Sequence, residues 1–378
     1  MADKLVTPDD DTKAKICETT TFSSFQPCDF WTDEELAVYV HQTSMLLKAE
    51  NEREKNEVKN MEVLNNGALA DFMFSASEKF KLEPECKYIA MDLFSRFMTK
   101  HSVSLVEQSF AKTKKSEKRK KLLKEIRRRM KCLSPLRALT CLMIASKLVS
   151  VHSTVTPSSL KDYMKKMECN FSIKQIARSE IRVLEELNFK CFHTHSLMVY
   201  IGVLVAGSFG SWKVRIKQEV KKVEYEDVFD KSMKLLDIAC LQSGKLYNEL
   251  FFLATGSRNI PDHLWPEWCP IMTDRLLLAA AAVTAAGWLL GGDAMCESTA
   301  TGITSNLHLN SEDVVSLTAC LLRISGISLE ITPHALKTEP ISSPGLGKSS
   351  PTRKRKYAKK RKKSTPSIFD SSSEGNSP

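Results

Sequence analysis

Leu136-Arg137-Ala138-Leu139-Thr140-Cys141-Leu142-Met143-Ile144-Ala145-Ser146-Lys147-Leu148-Val149 is the stretch on which the fold turns. It is apolar or small on every side of a helical wheel, so it reads as a helix buried all round, opened by Pro135 at a first-turn position. Such a helix needs neighbours on all its faces. They are on either side in the sequence. Leu69, Phe72, Met73, Ala76 and Phe80 recur at helical spacing, and Pro84 opens another helix through Met98 with Ile89, Leu93, Phe94 and Phe97 inward. Downstream, Thr156-Pro157 caps a short helix, and Ser172 with Gln175 forms a capping box for one reaching Leu187. Five helices around a central third predict a bundle.

The second half repeats that rhythm. Helical patterns cover His195–Ala206, Glu226–Leu241, Lys245–Ala254, Asp274–Leu290 and Ser311–Ile324. The uncharged, Ala-rich stretch Leu276–Leu290 takes the central place here. At 15 residues it is short of the roughly 20 that cross a bilayer, so it too reads as a core helix. Ahead of both bundles, Thr32 and Glu35 form a capping box for a helix within 31–65, whose apolar side is Leu36, Val40 and Leu47. Its later part, Glu50–Asn60, is nearly all charged or amide and reads as solvated or frayed. Residues 1–30 and 328–378 are polar and aperiodic, and disorder is expected there. No strand alternation is present. The predicted class is all-α, with bundles at 66–192 and 193–327.

Net charge over the 378 residues is +10, but it is concentrated. Lys112–Lys131 carries 12 basic and 2 acidic residues, His334–Pro378 carries 11 and 3, and the remainder is therefore net −8. The body is mildly acidic, with a basic insertion at about 107–133 and a basic tail. Within the insertion, Leu122, Leu123, Ile126, Met130 and Leu133 share one helical face, with Lys118, Arg119, Lys120, Lys121, Lys124, Arg127, Arg128 and Arg129 around the rest. Three uses stay open: a solvated extension of the third helix, contact with nucleic-acid phosphates, or a calmodulin-type target. Eleven cysteines without a Cys-x-x-Cys pair, and a start Met1-Ala2-Asp3-Lys4 without an apolar segment, point to a reducing compartment.

Several fragments now combine. Leu69-Ala70-Asp71-Phe72-Met73, Phe80-Lys81-Leu82 and Ser95-Arg96-Phe97-Met98 resemble the first two helices of a cyclin box. Ala145-Ser146-Lys147-Leu148 is similar to its third helix, and Ser179-Glu180-Ile181 with Leu187-Asn188-Phe189 to its fifth. The insertion, the divergent second half and the run Leu246-Tyr247-Asn248-Glu249-Leu250-Phe251 resemble most the cyclin N-terminal domain-containing protein 1 family. That resemblance implies the cyclin fold with two tandem five-helix boxes. It also implies a non-catalytic regulator of meiotic crossover maturation, with a cyclin-dependent kinase and meiotic recombination proteins as partners. It assigns kinase contact to Lys147 and Glu180. The alternative, on the same fold, is a kinase-independent scaffold that binds DNA or recombination and transcription proteins.

The sequence departs from the family in places. Val149 and Ser150 stand where acids follow the lysine, Ser95 stands where an acid precedes Arg96, and Asn66 and Phe72 replace the Arg and Trp of the substrate-docking patch. Structural Arg–Asp pairing in the box is therefore not expected, nor is substrate docking through that patch. From Ala138 to Leu160, Lys147 is the sole formal charge, so it must reach water or an acceptor.

The tail holds Arg353, Lys354, Arg355, Lys356, Lys359, Lys360, Arg361, Lys362 and Lys363, a run expected to serve nuclear import and chromosomal association. Ser350-Pro351-Thr352-Arg353 fits a cyclin-dependent kinase target, and Lys337 sits in a short SUMO-acceptor pattern. Cys191, His193 and His195 lack a fourth zinc ligand nearby and read as a linker. No acid/base pair, triad or phosphate-cradling loop is present, so no cofactor, metal or small-molecule substrate is expected.

Overall fold

In the computed structural model the described residues are 33–58, 67–111, 116–150, 155–191, 195–215, 223–261 and 264–326. They form twelve helices and no strand. In chain order these are α1 (Asp33–Val58), α2 (Gly67–Lys79), α3 (Pro84–Ala111), α4 (Ser116–Val149), α5 (Pro157–Lys166) and α6 (Ile173–Glu186), then α7 (Leu197–Arg215), α8 (Tyr225–Leu241), α9 (Ser243–Thr255), α10 (Trp265–Met272), α11 (Arg275–Leu307) and α12 (Ser311–Ile324). The chain has the all-α cyclin fold. Helices α2, α3, α5 and α6 surround α4, and α7, α8 and α12 gather about α11, with α9 packed on α8 and α12.

Burial explains both centres. Leu136 and all residues from Ala138 to Ser146 in α4 are buried, and α2, α3, α5 and α6 pack on it. Each large apolar side chain enclosed there contributes about 1.5–3 kcal/mol relative to exposure. In α11, Leu276, Leu277 and every residue from Ala279 to Gly287 are buried. Alanine combines high helix propensity with little bulk, so α7, α8 and α12 can all approach closely. Lys118–Val149 and Arg275–Leu307 are each long and apolar enough to cross a membrane by composition. Here their apolar stretches are bundle centres.

Local signals hold at several helix starts. Thr156 caps α5 as expected, through a box with Ser159 that was not anticipated, and Ser172 caps α6 through the expected box with Gln175. Elsewhere the structure corrects the sequence reading. Helix α3 continues to Ala111 and α4 starts at Ser116, so Pro135 lies inside a helix instead of opening one. The basic insertion is thus an antiparallel extension of both helices, and Arg119 lies over the Phe110 ring at 5.0 Å. Pro135 cannot donate to the Lys131 carbonyl, but the Ser134 hydroxyl donates to the Met130 carbonyl at 2.8 Å. Helix α10 was not anticipated; there Trp268 meets Phe251 edge-on at 4.9 Å. Helix α11 also runs past Leu290 to Leu307, bending at Gly292, whose φ of 66° suits glycine.

The two bundles share a packed boundary. Phe74 of α2 and Tyr88 of α3 belong to the second bundle's core. The Tyr88 hydroxyl donates to Asp237 Oδ1 at 2.5 Å, and Lys87 Nζ pairs with Asp237 Oδ2 at 2.7 Å. At the start of α2, a Cβ on Gly67 would lie 2.2 Å from the Leu241 carbonyl oxygen, so only glycine permits that approach.

Helix α1 lies against the second bundle, on α7, α10 and α11, with Leu47 in its core. Within the Glu50–Asn60 stretch, expected to be solvated, the described side chains divide: Glu52, Arg53 and Asn56 are exposed, but others turn inward. Glu50 and Asn51 are buried, and Lys55 Nζ pairs with Asp274 Oδ2 at 2.8 Å. Their buried partners lie some 145–224 positions away, which a local pattern cannot reveal. The capping pair at Thr32, the terminal segments, Asn66, His193, Lys337, Ser350 and the basic run from Arg353 to Lys363 lie outside the described residues.

Candidate functional site

Lys147 and Glu180 come together. Lys147 is in the last turn of α4, where the helix dipole favours a cation, and its Nζ lies 2.5 Å from Glu180 Oε1 on α6. The lysine side chain remains 42% exposed and the glutamate 20%. A pair at this depth leaves both partners reachable by another chain.

The placement is set by a buried lock one step deeper. The Arg137 guanidinium donates to Ser179 Oγ at 2.7 Å and to the Ser179 carbonyl at 3.1 Å. Thr140 Oγ1 lies 2.8 Å from the same Ser179 hydroxyl and donates to the Leu136 carbonyl. Thr140 and Lys147 are two turns apart on α4, while Ser179 and Glu180 are adjacent on α6. Fixing the first contact fixes the second. The sequence reading missed Arg137, Thr140 and Ser179, although polar residues inside an otherwise apolar helix were the available signal. At the far end, Ser146 Oγ accepts from Val155 N at 3.0 Å, tying the chain that leaves α4 back to it.

Two exposed isoleucines lie on the same helix as Glu180. Ile173, Ala177, Glu180 and Leu184 follow helical spacing on α6, and Ile181 beside them is 54% exposed. Isolated exposed isoleucines are ordinary, but Ile181 adjoins Glu180 in sequence and Ile173, 44% exposed, lies two turns earlier on the same face of α6. Of the departures noted above, Val149 packs partly into the first core, and Phe72 sits 6.2 Å from Tyr163.

Arg96 keeps an aspartate after all. Its Nε donates to Asp92 Oδ2 at 2.8 Å, one turn earlier in α3, in place of the adjacent acid that Ser95 replaces. Its other nitrogens donate to the carbonyls of Lys190 at 2.9 Å and Cys191 at 3.0 Å. Those carbonyls are presented because Asn188 and Phe189 both adopt left-handed backbone, φ 52° and 58°, at the end of α6. Arg275, entering α11, also pairs with Asp92, and with Glu54 Oε2 at 3.1 Å. One largely enclosed carboxylate thus joins the two bundles.

Several of the described thiols are buried. Burial pushes Cys86 and Cys296 up to about 11, and Cys240 and Cys320 up to about 12, which keeps these thiols protonated and poorly nucleophilic. Burial also raises Cys191, while its neighbour in sequence His195 is bound by Glu50, with Nδ1 2.7 Å from Oε2. Among the described residues no group of three His, Cys, Asp or Glu side chains is placed to hold a metal ion.

Two helical bundles, each wrapped about one apolar helix, give the described residues the cyclin fold, and an exposed Lys–Glu pair bridges the third and fifth helices of the first. The family description "Cyclin, N-terminal domain" matches residues 35–113, from α1 to just beyond α3. The chain is similar to cyclin N-terminal domain-containing protein 1 of Homo sapiens, 22% identical over 286 residues, covering 75% of this chain and 79% of that protein. It is also similar to the Mus musculus protein of the same name, 21% identical over 224 residues, covering 58% of this chain and 64% of that one. Lys147 and Glu180 lie outside the family match and are placed by the helix packing alone.

Proposed function

We propose that this chain regulates a cyclin-dependent kinase by docking through Lys147 and Glu180, and that it performs no catalysis of its own. The supporting observation is the exposed pair itself. It offers one donor and one acceptor on two packed helices, with Ile173 and Ile181 exposed on the helix that carries Glu180. A protein-binding surface commonly combines a few apolar anchors with oriented polar groups. By resemblance, the regulated process is crossover maturation in meiotic recombination, within the nucleus and on chromosomes. The basic run Arg353–Lys363 would direct import, and Ser350 would be a substrate of the bound kinase. The added phosphate, bringing nearly two negative charges, would weaken that run's hold on anionic partners.

The test is affinity capture of kinases from meiotic cells with the wild-type chain, Lys147→Glu and Glu180→Lys. Kinase recovery is expected with the first and lost with both variants. Failure to recover any kinase with wild type would sink the reading and leave the scaffold. Loss of crossovers in cells lacking the chain tests the meiotic part separately.

A further inference from the structure

The arm of α4 that precedes its core is a surface with charge and little else to offer. Lys120, Lys124, Arg127 and Lys131 are all exposed and follow the spacing of one helical face. At 3.6 residues per turn they fall within about 60° of one another, along about 16 Å of axis. Most of the apolar face of the same arm is already occupied, Leu133 at its end being 37% exposed. Ile126 is buried, Leu122 and Leu123 are half-buried, and Met130 packs on the first core. A partner that inserts an apolar helix into a groove, or receives one, has little left here to grip.

The arm's described acid is also committed elsewhere. Glu125 accepts from Arg128 and Arg129 at 2.8 Å each, and these hydrogen bonds hold its carboxyl down to about 2. It points about a third of a turn away from the stripe. Residues 118–131 contain no aromatic side chain, so single-stranded bases have nothing to stack on.

We propose that this stripe docks on the phosphate backbone of a double-stranded nucleic acid without reading its base sequence. Duplex DNA presents one negative charge per about 1.7 Å of axis, so about 16 Å of arm faces about nine or ten charges over both strands, enough to engage four cations. The surface is independent of the Lys147–Glu180 pair, which lies at the other end of the same helix.

The test uses the full chain and a fluorescent duplex of mixed sequence, with affinity followed as salt rises from about 50 to 200 mM. Changing Lys120, Lys124, Arg127 and Lys131 to Gln is expected to weaken binding at least about tenfold and to flatten the log–log salt slope by about 3.6. Gln is a good helix former, so the fold should persist. Should that variant fail to fold, Lys124→Gln and Lys131→Gln alone should each flatten the slope by about one. Replacing the three lysines with Arg should leave the slope unchanged. An unaltered slope in the Gln variants would assign all binding to the tail and overturn the proposal. So would preference for single strands, or displacement of the duplex by polyglutamate of equal charge.

Discussion

Asn51 of α1 caps a helix that starts more than two hundred residues later: its Oδ1 accepts from Arg275 N at 2.9 Å, and its Nδ2 donates to Asp274 Oδ1 at 2.9 Å. Asp274 in turn accepts from Leu277 N at 2.8 Å as the ordinary N-cap of α11. The first turn of the second bundle's central helix is therefore satisfied by two side chains, one local and one from the opposite end of the chain. Removing Asn51 leaves buried backbone donors without an acceptor. Asn51→Leu should cost about 1–3 kcal/mol in chemical denaturation. An unchanged midpoint would show that α1 is not part of the folded unit.

Arg275 is the next element of that junction. It pairs with Asp92 and Glu54 and donates to the His195 carbonyl at 3.2 Å, so α1, α3, the inter-bundle linker and α11 meet at one guanidinium. Breaking a buried pair by removing one partner strands the other charge. Arg275→Met should therefore cost about 3–5 kcal/mol, and combination with Asp92→Asn should cost clearly less than the sum of the two. Additive losses in a double-mutant cycle would contradict this coupling.

The same linker carries a pH dependence. The hydrogen bond from Glu50 raises the His195 pKa, partly opposed by burial. A histidine whose folded pKa is raised contributes stability that is complete below its unfolded value of about 6.5 and is lost as pH climbs through the raised one. His101 behaves oppositely. Burial lowers its pKa despite Glu186 Oε2 at 3.2 Å, so its contribution is present above about 6.5 and is lost as pH falls through the lowered value. Glu50→Gln should flatten the alkaline part of the stability profile and leave the acid part intact. Denaturation midpoints measured across that range check both signs.

What could be read from the sequence was local or strongly periodic. The cap at Thr156 and the capping box at Ser172 are local signals, and the two central helices declare themselves by being largely apolar and small. Pro135 misled because a first-turn proline and an interior one look alike until the packing of Leu136, Leu139 and Leu142 makes continuation favourable. Glu50–Lys55 misled for a different reason. A charged stretch reads as solvated unless its partners are known, and Arg275 and Asp274 are far away in sequence. The Lys147–Glu180 pairing was legible as two residues, by resemblance. The Arg137–Ser179 contact that aligns them was not.

That contact separates position from pairing. The Lys147–Glu180 pair is open to solvent, so Lys147→Glu should change stability by no more than about 1 kcal/mol while abolishing partner capture. Ser179→Ala acts differently. It leaves both charges in place but deprives Arg137 and Thr140 of a shared buried partner, which should cost about 1–3 kcal/mol. With the α4–α6 register loosened, Glu180 should meet Lys147 less often. Partner affinity should then fall without any change of charge on the docking face, and Ser179→Thr, which restores a hydroxyl, should recover part of it. Calorimetric titration against the captured kinase, alongside a melting curve for each variant, reads both quantities. Full affinity in a clearly destabilised Ser179→Ala protein would show that the buried lock holds the bundle together without aiming the pair.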